Sequence, residues 1–286
     1  MASNRRSSFL SGHSAVVCVV LTFTSSFTIA LAAPWGATHT LGSSSSRHTR
    51  LTINMGKSLA PSHHAAGDYD IYLLAQSWSA HFCCHHADKC HTVPWAFSAN
   101  HLSLHGLWPG FSTPRSGGET FPENCATKAK LVQESMPRDY IDLAPSYTTW
   151  NATKHQAEVG GLAKHEWLKH GTCSGLSPDG YFAEALRAFS LLPGDRGTPE
   201  LIKANVGGSV SAAALRASYA KRVAIKGDRG CNLSEVTACF SKLPDGRIDA
   251  QVDCPEHVMR GRDSPNCSTI RINQLGQCML DAKKKR

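Results

Sequence analysis

The alternation of apolar and polar residues predicts the first two strands of this chain. "DYDIYLLAQSW", residues 68–78, is a short and almost continuous apolar run, which is typical of a buried strand. In "HLSLHGLW", residues 101–108, leucines alternate with polar side chains. Because successive side chains of a strand point to opposite faces, we expect Leu102 and Leu104 to face the core and His105 to face away from it.

Helices are predicted in the middle of the chain. They are the segment after Gly160 and Gly161 that holds residues 165–170, "PDGYFAEALRAFSLL" at 178–192, and two shorter stretches near 199–206 and 209–221. Strands return at 234–240 and 247–254, around a Pro-Asp-Gly turn. In the second of these strands, Ile248, Ala250 and Val252 alternate with polar residues. Helices and strands are segregated along the chain, which favours an α+β fold.

The amino-terminal segment has the pattern of a secretory leader. Two arginines precede an apolar run over residues 15–33, which contains Ala30-Leu31-Ala32 near its end, an A-x-A cleavage pattern. We therefore expect residues 1–32 to be a signal peptide. An uncleaved signal anchor is the alternative, because the run approaches the ~17 to 20 residues that span a bilayer. The threonines and serines within the run weaken that interpretation.

Composition divides the rest of the chain. Residues 33–67 are rich in Ser, Thr, His and Gly without an apolar period, so we expect a flexible linker, followed by a folded domain at 68–281 and a basic tail at 282–286. The net charge of +8 comes from the flanks, because the leader, the segment 33–66 and the tail contribute +2, +3 and +4. Any anion site in the domain must therefore use locally placed cations.

Cysteine usage agrees with export through an oxidising compartment. Without Cys18 in the leader, the chain keeps ten cysteines, an even number that suits five disulfides. Sequons for N-glycosylation begin at Asn151, Asn232 and Asn266. The cluster "CCHHADKCH", residues 83–91, is compatible with a zinc site, but disulfides are the favoured interpretation in an exported chain.

Charged and titratable residues crowd together in "HEWLKHGTC", residues 165–173. The zinc motif H-E-x-x-H needs histidines four apart, whereas His165 and His170 are five apart and so roughly 140° apart around a helix. Lys169 takes the place of the second ligand. His165 pairs with Lys169, and Glu166 with His170, at i, i+4 spacing. We therefore expect a face for proton transfer and anion binding, with no metal.

A second motif, "LHGLWPG" at residues 104–110, places His105 close to Trp108. With "HEWLKHGTC" about sixty residues later, it resembles the paired motifs of the ribonuclease T2 family. The resemblance extends from about Tyr69 to Cys278. It implies a disulfide-stabilised α+β fold in which helices pack around a central antiparallel sheet.

The resemblance also implies a chemistry that uses no metal or other cofactor. A base activates the 2′-hydroxyl of RNA, an acid protonates the leaving 5′-oxygen, and cations stabilise the phosphorane, so that 2′,3′-cyclic phosphate ends form before they are hydrolysed. Aromatic side chains bind unpaired bases by stacking. The residues implied are the base His170, the acid His105, the transition-state stabilisers Glu166 and Lys169, the phosphate-binding His165 and the base-stacking Trp108.

Disulfide pairing and base preference are further implications of the resemblance. The implied disulfides are Cys83 to Cys90, Cys125 to Cys173, Cys231 to Cys278 and Cys254 to Cys267. Cys84 and Cys239 are left over as candidates for a fifth bridge, since sequence alone does not fix connectivity. Gly110 stands where many members have an aspartate linked to base recognition. We therefore expect cleavage after all four nucleotides, unless a residue in 111–115 supplies the missing contact.

The sequence thus predicts a secreted, monomeric endoribonuclease of broad base specificity. It would act on single-stranded RNA but not on DNA, which lacks the 2′-hydroxyl, outside the cell or in the lumen of an acidic endomembrane compartment. No membrane contact is expected after signal cleavage. One alternative is a catalytically silent secreted protein of the same fold that binds RNA or other polyanions. The other is a metal-dependent hydrolase, which the i, i+5 histidine spacing disfavours.

Overall fold

A computed structural model provides the three-dimensional structure. It describes residues 64–87, 90, 96–132, 135–144, 148–151 and 156–277. The predicted signal peptide, nearly all of the predicted linker, Cys278 and the basic tail lie outside the described residues. Within the described part of the chain, no helix is both long and apolar enough to cross a membrane.

Helices and strands are interspersed along the chain, so the predicted segregation is wrong, and the segment near 209–221 that was predicted as a helix begins as a strand. The strands are β1 (Ile71–Ser77), β2 (Ser103–Gly110), β3 (Thr148–Asn151), β4 (Gln156–Val159), β5 (Ser209–Ser211), β6 (Ala224–Gly227), β7 (Leu233–Lys242), β8 (Ile248–Val252) and β9 (Thr269–Arg271). The helices are α1 (Ser79–His85), α2 (Arg138–Leu143), α3 (Gly161–Lys169), α4 (Pro178–Ser190), α5 (Glu200–Lys203), α6 (Ala212–Ala217) and α7 (Glu256–Arg262). Short 3-10 turns occupy Phe97–Ala99, Ser116–Gly118 and Gly171–Cys173.

The central sheet is antiparallel, and β1 lies in its middle. β1 pairs with β2 on one side and with β7 on the other. The far edge of β7 is shared by two strands, since β6 pairs with its first half and β8 with its second half. The small pairs β3–β4 and β5–β9 lie outside this sheet. The α+β fold with a central antiparallel sheet is confirmed.

The continuous apolar run of β1 is explained by burial on both faces. Tyr72 and Leu74 belong to the main core, together with the inner face of α4. Leu73 and its neighbours of the same parity pack into a second cluster on the opposite face, which includes Val258 of α7. A strand covered on both faces needs no alternation of polar and apolar residues.

The alternation predicted for β8 is only partly realised. Ile248 is fully buried, but Ala250 is exposed. The cause is the position of β8 at the sheet edge, where its register against β7 shifts between Phe240 and Lys242. Only Ile248, the first residue of β8, is therefore fully buried. Helix α7 was not predicted, because its sequence EHVMRGR carries no clear apolar period.

The disulfides confirm half of the implied pairing and correct the rest. The described bridges are Cys83–Cys90, Cys125–Cys173, Cys231–Cys267 and Cys239–Cys254. The first two agree with the resemblance. The implied pairs Cys231–Cys278 and Cys254–Cys267 are wrong, and so is a bridge between Cys84 and Cys239. Cys84 is itself disulfide-bonded.

The β7–β8 hairpin accounts for the Cys239–Cys254 bridge. Its register places Cys239 directly opposite Val252, the last residue of β8, and Cys254 follows two residues later. The Cα atoms of the two cysteines are 5.1 Å apart, within the usual range for a disulfide of about 4.4 to 6.8 Å. Strand register therefore decides this pairing, and register was not available from the order of cysteines along the chain.

The described residues of the predicted linker, 64–67, make contacts with the domain. The backbone N–H of Gly67 donates to the carbonyl of Cys173 at 2.9 Å. Nε2 of His64 lies 2.7 Å from Oε2 of Glu119. The end of the segment predicted as linker thus packs against the loops that follow β2 and α3.

Candidate active site

A β-bulge in β2 lies at His105. Between Ala75 and Gln76 of β1 the register against β2 shifts by one residue, and His105 is the extra residue of β2. The leucines reflect the shift, because Leu104 and Leu107 both lie in the main core although they are three residues apart. Unbroken alternation would put them on opposite faces. Bulges re-aim side chains in this way, and this one returns Leu107 to the core, whereas His105 keeps the outward direction that alternation predicts.

His105 lies between two carboxyl groups. Its Nε2 is 3.5 Å from Oε1 of Glu166 in α3, and its Nδ1 is 3.5 Å from Oε2 of Glu235 in β7. Burial lowers the pKa of His105, but the hydrogen bond to Glu235 and the negative charges of both carboxylates outweigh it, so the net pKa is raised. The surroundings therefore favour the protonated imidazolium.

Glu166 is almost completely buried, with only 1% of its side chain exposed. The indole Nε1 of Trp108 donates a 2.7 Å hydrogen bond to its Oε2. Burial raises the pKa of Glu166 to about 7, although the charge of His105, the Trp108 hydrogen bond and the charge of Lys169 oppose this. The carboxyl group therefore exchanges its proton near neutral pH.

Gly106 makes room for this carboxyl group. A Cβ atom at this position would lie 2.0 Å from Oε2 of Glu166 and 2.6 Å from Nε1 of Trp108. Any side chain would thus displace the hydrogen bond between them. The glycine in "HGLW" is needed because it allows this close approach.

His170 lies at the carboxyl-terminal cap of α3, where its backbone N–H donates to the carbonyl of Glu166. Its side chain is buried, with 7% of the residue exposed, and its ring centroid is 5.2 Å from that of Trp108. Burial lowers its pKa to about 2, and the positive charge of Lys169 adds to this. Nδ1 has no hydrogen-bond partner among the described residues. His170 is therefore a neutral imidazole, in contrast to His105.

Lys169 and His165 complete the predicted set on α3. Nζ of Lys169 lies 3.5 Å from Oε2 of Glu123 and 5.7 Å from the ring centroid of Phe121. The ring of His165 is 6.2 Å from that of His170. Burial and the charge of Lys169 lower the pKa of His165. The structure thus brings Lys169 and His165 together on α3, near His170.

The segment after the first motif is fastened to this end of α3. The backbone N–H of Asn124 donates to the carbonyl of Lys169 at 2.9 Å, and Cys125 is bridged to Cys173. Phe121, which is 38% exposed, is thereby held with its ring 6.3 Å from that of His170. An exposed aromatic ring therefore borders the candidate site.

The structure corrects the role expected for Trp108. Only 7% of this residue is exposed. Cζ of Arg262 lies 4.2 Å from its ring centroid, and the ring of His170 lies 5.2 Å away. Its edge holds Glu166 through the Nε1 hydrogen bond. Trp108 is therefore a positioning residue inside the site and offers no face on which a base could stack.

Two residues of the site were missed by sequence reasoning. Glu235 accepts a 2.9 Å hydrogen bond from Arg262 and lies against His105. Burial raises the pKa of Glu235, but the hydrogen bond with His105 and the charge of Arg262 outweigh burial. The net pKa is therefore lowered, and the carboxylate stays ionised. A carboxylate within "SEVTACF" was a detectable polar position in a predicted strand. Arg262 ends a helix that was not predicted, so nothing indicated it.

The candidate site does not supply a metal centre among the described residues. The only described group of three or more His, Cys, Asp or Glu ligand atoms that converge is His81, His85 and Asp228, none of which belongs to the candidate site.

Of the three sequon asparagines, Asn266 is exposed, whereas Asn232 is half-buried and donates through Nδ2 to Asp228. Asn151 ends β3, and its side chain lies outside the described atoms.

Known proteins resemble this chain in sequence and fold. Intracellular ribonuclease LX of Solanum lycopersicum is 32% identical over 120 residues, which cover 42% of this chain and 47% of the relative. Ribonuclease I of Escherichia coli (strain K12) is 27% identical over 195 residues, covering 60% and 71%. The match to ribonuclease LX thus spans about half the length of that relative.

Solved structures and the family model agree on the fold. Trichomaglin, whose structure is described as that of a novel S-like ribonuclease, matches with a TM-score of 0.50 at 17% identity, over 73% of this chain and 99% of that chain. The model of the ribonuclease T2 family matches residues 69–250, which contain both motifs and every residue of the site up to Glu235. The chain therefore belongs to the ribonuclease T2 family.

Proposed function

We propose that the protein is a secreted endoribonuclease that cleaves single-stranded RNA by metal-independent acid–base catalysis. The observation that carries this proposal is the convergence of His105 and His170 on the Trp108 ring, at 5.4 and 5.2 Å between ring centroids, with Nε2 of His105 3.5 Å from Oε1 of Glu166. The pKa of His105 is raised and that of His170 is lowered. An acid and a base in one site must hold opposite protonation states at the same pH.

In the first step His170 acts as the base. Its neutral imidazole takes the proton of the 2′-hydroxyl, and the oxygen attacks the neighbouring phosphorus. The bond from phosphorus to the 5′-oxygen breaks, and the imidazolium of His105 gives its proton to that oxygen. A 2′,3′-cyclic phosphate and a free 5′-hydroxyl result. In the second step the roles are exchanged, as His105 deprotonates water and His170 protonates the 2′-oxygen.

The charge that develops on the phosphorane is stabilised by Lys169 and Glu166. Lys169 is partly exposed at the end of α3 and supplies a positive charge. The pKa of Glu166 is raised to about 7, so its protonated form can donate a hydrogen bond to a phosphorane oxygen. His165, beside His170, binds a neighbouring phosphate. DNA is not a substrate, since it lacks the 2′-hydroxyl that these groups activate.

Base recognition follows from Phe121 and from the glycine at position 110. A Cβ on Gly110 would lie only 2.8 Å from Cδ1 of Leu73 on the neighbouring strand, so this position faces packed side chains. Phe121 is exposed beside His170, and stacking on an aromatic ring accepts any base. We therefore propose broad base specificity with Phe121, rather than Trp108, as the stacking surface.

Digestion of yeast RNA in EDTA, followed by end-group analysis of early products, tests the proposed function. We expect undiminished cleavage and 2′,3′-cyclic phosphate ends that later convert to 3′-phosphates. Loss of cleavage on chelation, with recovery on adding a divalent ion, would contradict the metal-independent mechanism. Binding of RNA without any cleavage would support the catalytically silent alternative.

A further inference from the structure

A second cluster of titratable side chains lies at helix α1, apart from the candidate active site. Nε2 of His81 is 3.5 Å from Oδ2 of Asp228, and Nε2 of His85 is 3.8 Å from the same oxygen. The three ligand atoms lie within 4.8 Å of one another. Asp228 follows β6, so the cluster connects α1 to the turn between β6 and β7.

The two histidines have the spacing of a metal-binding pair. His81 and His85 are four residues apart on α1 and therefore lie on one face of the helix. Their ring centroids are 4.5 Å apart. This is the i, i+4 arrangement that the motif "HEWLKHGTC" lacks, and it is found instead in "HFCCH", residues 81–85.

Both imidazoles face the same carboxylate oxygen, which leaves room for a shared ion between them. Their Nε2 atoms lie 3.5 and 3.8 Å from Oδ2 of Asp228, longer than the most common hydrogen-bond distances of about 2.7 to 3.2 Å. Nε2 of His81 is buried and has no hydrogen-bond partner among the described residues. Tetrahedral zinc with nitrogen and oxygen ligands at about 2.0 to 2.1 Å holds those ligands roughly 3.3 to 3.4 Å apart. The observed separations from Asp228 come close to that value.

The carboxylate is already oriented by its own loop. Oδ1 of Asp228 accepts hydrogen bonds from the backbone N–H groups of Gly230 at 2.8 Å and Asn232 at 3.0 Å. Nδ2 of Asn232 donates to both carboxylate oxygens at 2.9 Å. Such outer hydrogen bonds fix the direction of a metal-ligating carboxylate. Here they direct Oδ2 toward the two imidazoles.

We propose that His81, His85 and Asp228 bind a divalent transition-metal ion of the zinc type, with water completing its coordination. Two imidazoles and one carboxylate match the ligand preference of zinc. Because His85 is 55% exposed, the ion is reached from solvent. The ion would fasten α1, which carries the Cys83–Cys90 bridge, to the turn after β6. Its role is structural, so it leaves the metal-independent chemistry of the active site unchanged.

Calorimetric titration of the EDTA-treated and dialysed protein with zinc sulfate tests the proposal. We expect one ion per chain and a rise in melting temperature with zinc. His81→Gln and His85→Gln should each weaken binding at least tenfold and abolish the rise. His86→Gln is the matched control, because this residue caps the same helix but lies outside the cluster. It should bind zinc as the wild type does.

His85 is exposed, so the His85→Gln variant is expected to fold even if His81→Gln does not. Absence of binding by the wild type would overturn the proposal. Binding that survives in His85→Gln and His81→Gln would overturn it as well, by placing the ion elsewhere, for example at the active-site histidines. Ribonuclease activity in EDTA, measured on the same preparations, is expected to be equal in wild type and His85→Gln. Failure of this proposal is therefore distinguishable from failure of the proposed function.

Discussion

The indole N–H of Trp108 donates a 2.7 Å hydrogen bond to the buried carboxyl group of Glu166. This contact joins β2 to α3 and fixes Glu166 beside His105. A buried carboxyl group without such a donor would be costly, because its polar atoms have left water. Trp108 of the first motif therefore positions Glu166 of the second motif.

Replacing Trp108 by phenylalanine tests this relationship. The aromatic ring remains, but Glu166 loses its hydrogen-bond donor, so we expect a loss of about 1 to 3 kcal/mol in the free energy of unfolding at neutral pH. The pKa of Glu166 should rise further, because the hydrogen bond that lowers it is gone. Trp78→Phe is the matched control, since its Nε1 donates to the carbonyl of Asn273 at 2.8 Å. The control should lose stability without altering the pH profile of activity, and equal profiles for both variants would refute the role given to Trp108.

Gly106→Ala should damage the site directly. Its Cβ would lie 2.0 Å from Oε2 of Glu166, so either the carboxyl group or the strand must move. We expect a destabilisation of about 1 to 3 kcal/mol and a large fall in kcat. Gly161→Ala provides the control, because no atom lies within 4 Å of its added Cβ and the residue begins α3. A Gly106→Ala enzyme with wild-type kcat and stability would show that the site tolerates a displaced Glu166.

Glu235→Gln should shift the alkaline limb of the pH profile. The pKa of His105 is raised, so its charged form, the stability it contributes and its function as an acid are all present at low pH and lost as pH rises through that pKa. Removing the negative charge of Glu235 lowers the pKa of His105. The fall of kcat/KM with rising pH should therefore begin at lower pH. Glu256→Gln, at an exposed carboxylate bonded to Arg222, should leave the limb in place. An unmoved limb in Glu235→Gln would mean that another group supplies the proton.

Most residues of the site were predicted from the sequence, but several of the contacts between them were not. His105 was correctly predicted to face away from the core, but the bulge that returns Leu107 to the core was visible only as the spacing between Leu104 and Leu107. Glu235 and Arg262 reach the site through strand register and an unpredicted helix. Register depends on which strands pair, and short-range patterns do not contain that information.

The errors have physical causes of the same kind. Trp108 was expected to stack on a base because a motif gives residue types without their burial, and Arg262 covers the ring in the folded chain. The Cys239–Cys254 bridge follows from the β7–β8 hairpin, whose two strands and turn were predicted, whereas the pairing of the cysteines was taken from the family resemblance. Burial and pairing are properties of the tertiary fold. Local pattern predicted the longer strands β1, β2, β7 and β8 and the α+β class. The strands β3, β4, β5, β6 and β9 were missed, because three or four residues are too few to show a period.

Base preference tests the roles of Gly110 and Phe121. On the sixteen dinucleoside monophosphates we expect initial rates that differ by less than about 100-fold at the 5′ base, a gap of about 2.7 kcal/mol. Phe121→Ala should lower kcat/KM for all bases alike, by the ~1 to 3 kcal/mol that stacking contributes. Phe82→Ala, at a similarly exposed ring on α1, is the control. A stronger preference for one base would reveal a polar reader, for instance in residues 111–115.

The division of labour between His105 and His170 is tested most directly by changing the leaving group. In an aryl phosphodiester of a 3′-nucleotide, such as the p-nitrophenyl ester, the leaving group is a phenolate, which departs without needing a proton. The 5′-oxygen of a dinucleotide needs one. The measurement is kcat for both substrates with His105→Ala and His170→Ala. On the dinucleotide, each variant should lose at least ~10²-fold. On the aryl ester, His105→Ala should recover most of its activity, while His170→Ala should remain impaired. Recovery by His170→Ala instead, or equal losses by both variants on both substrates, would contradict the assignment of His105 as acid and His170 as base.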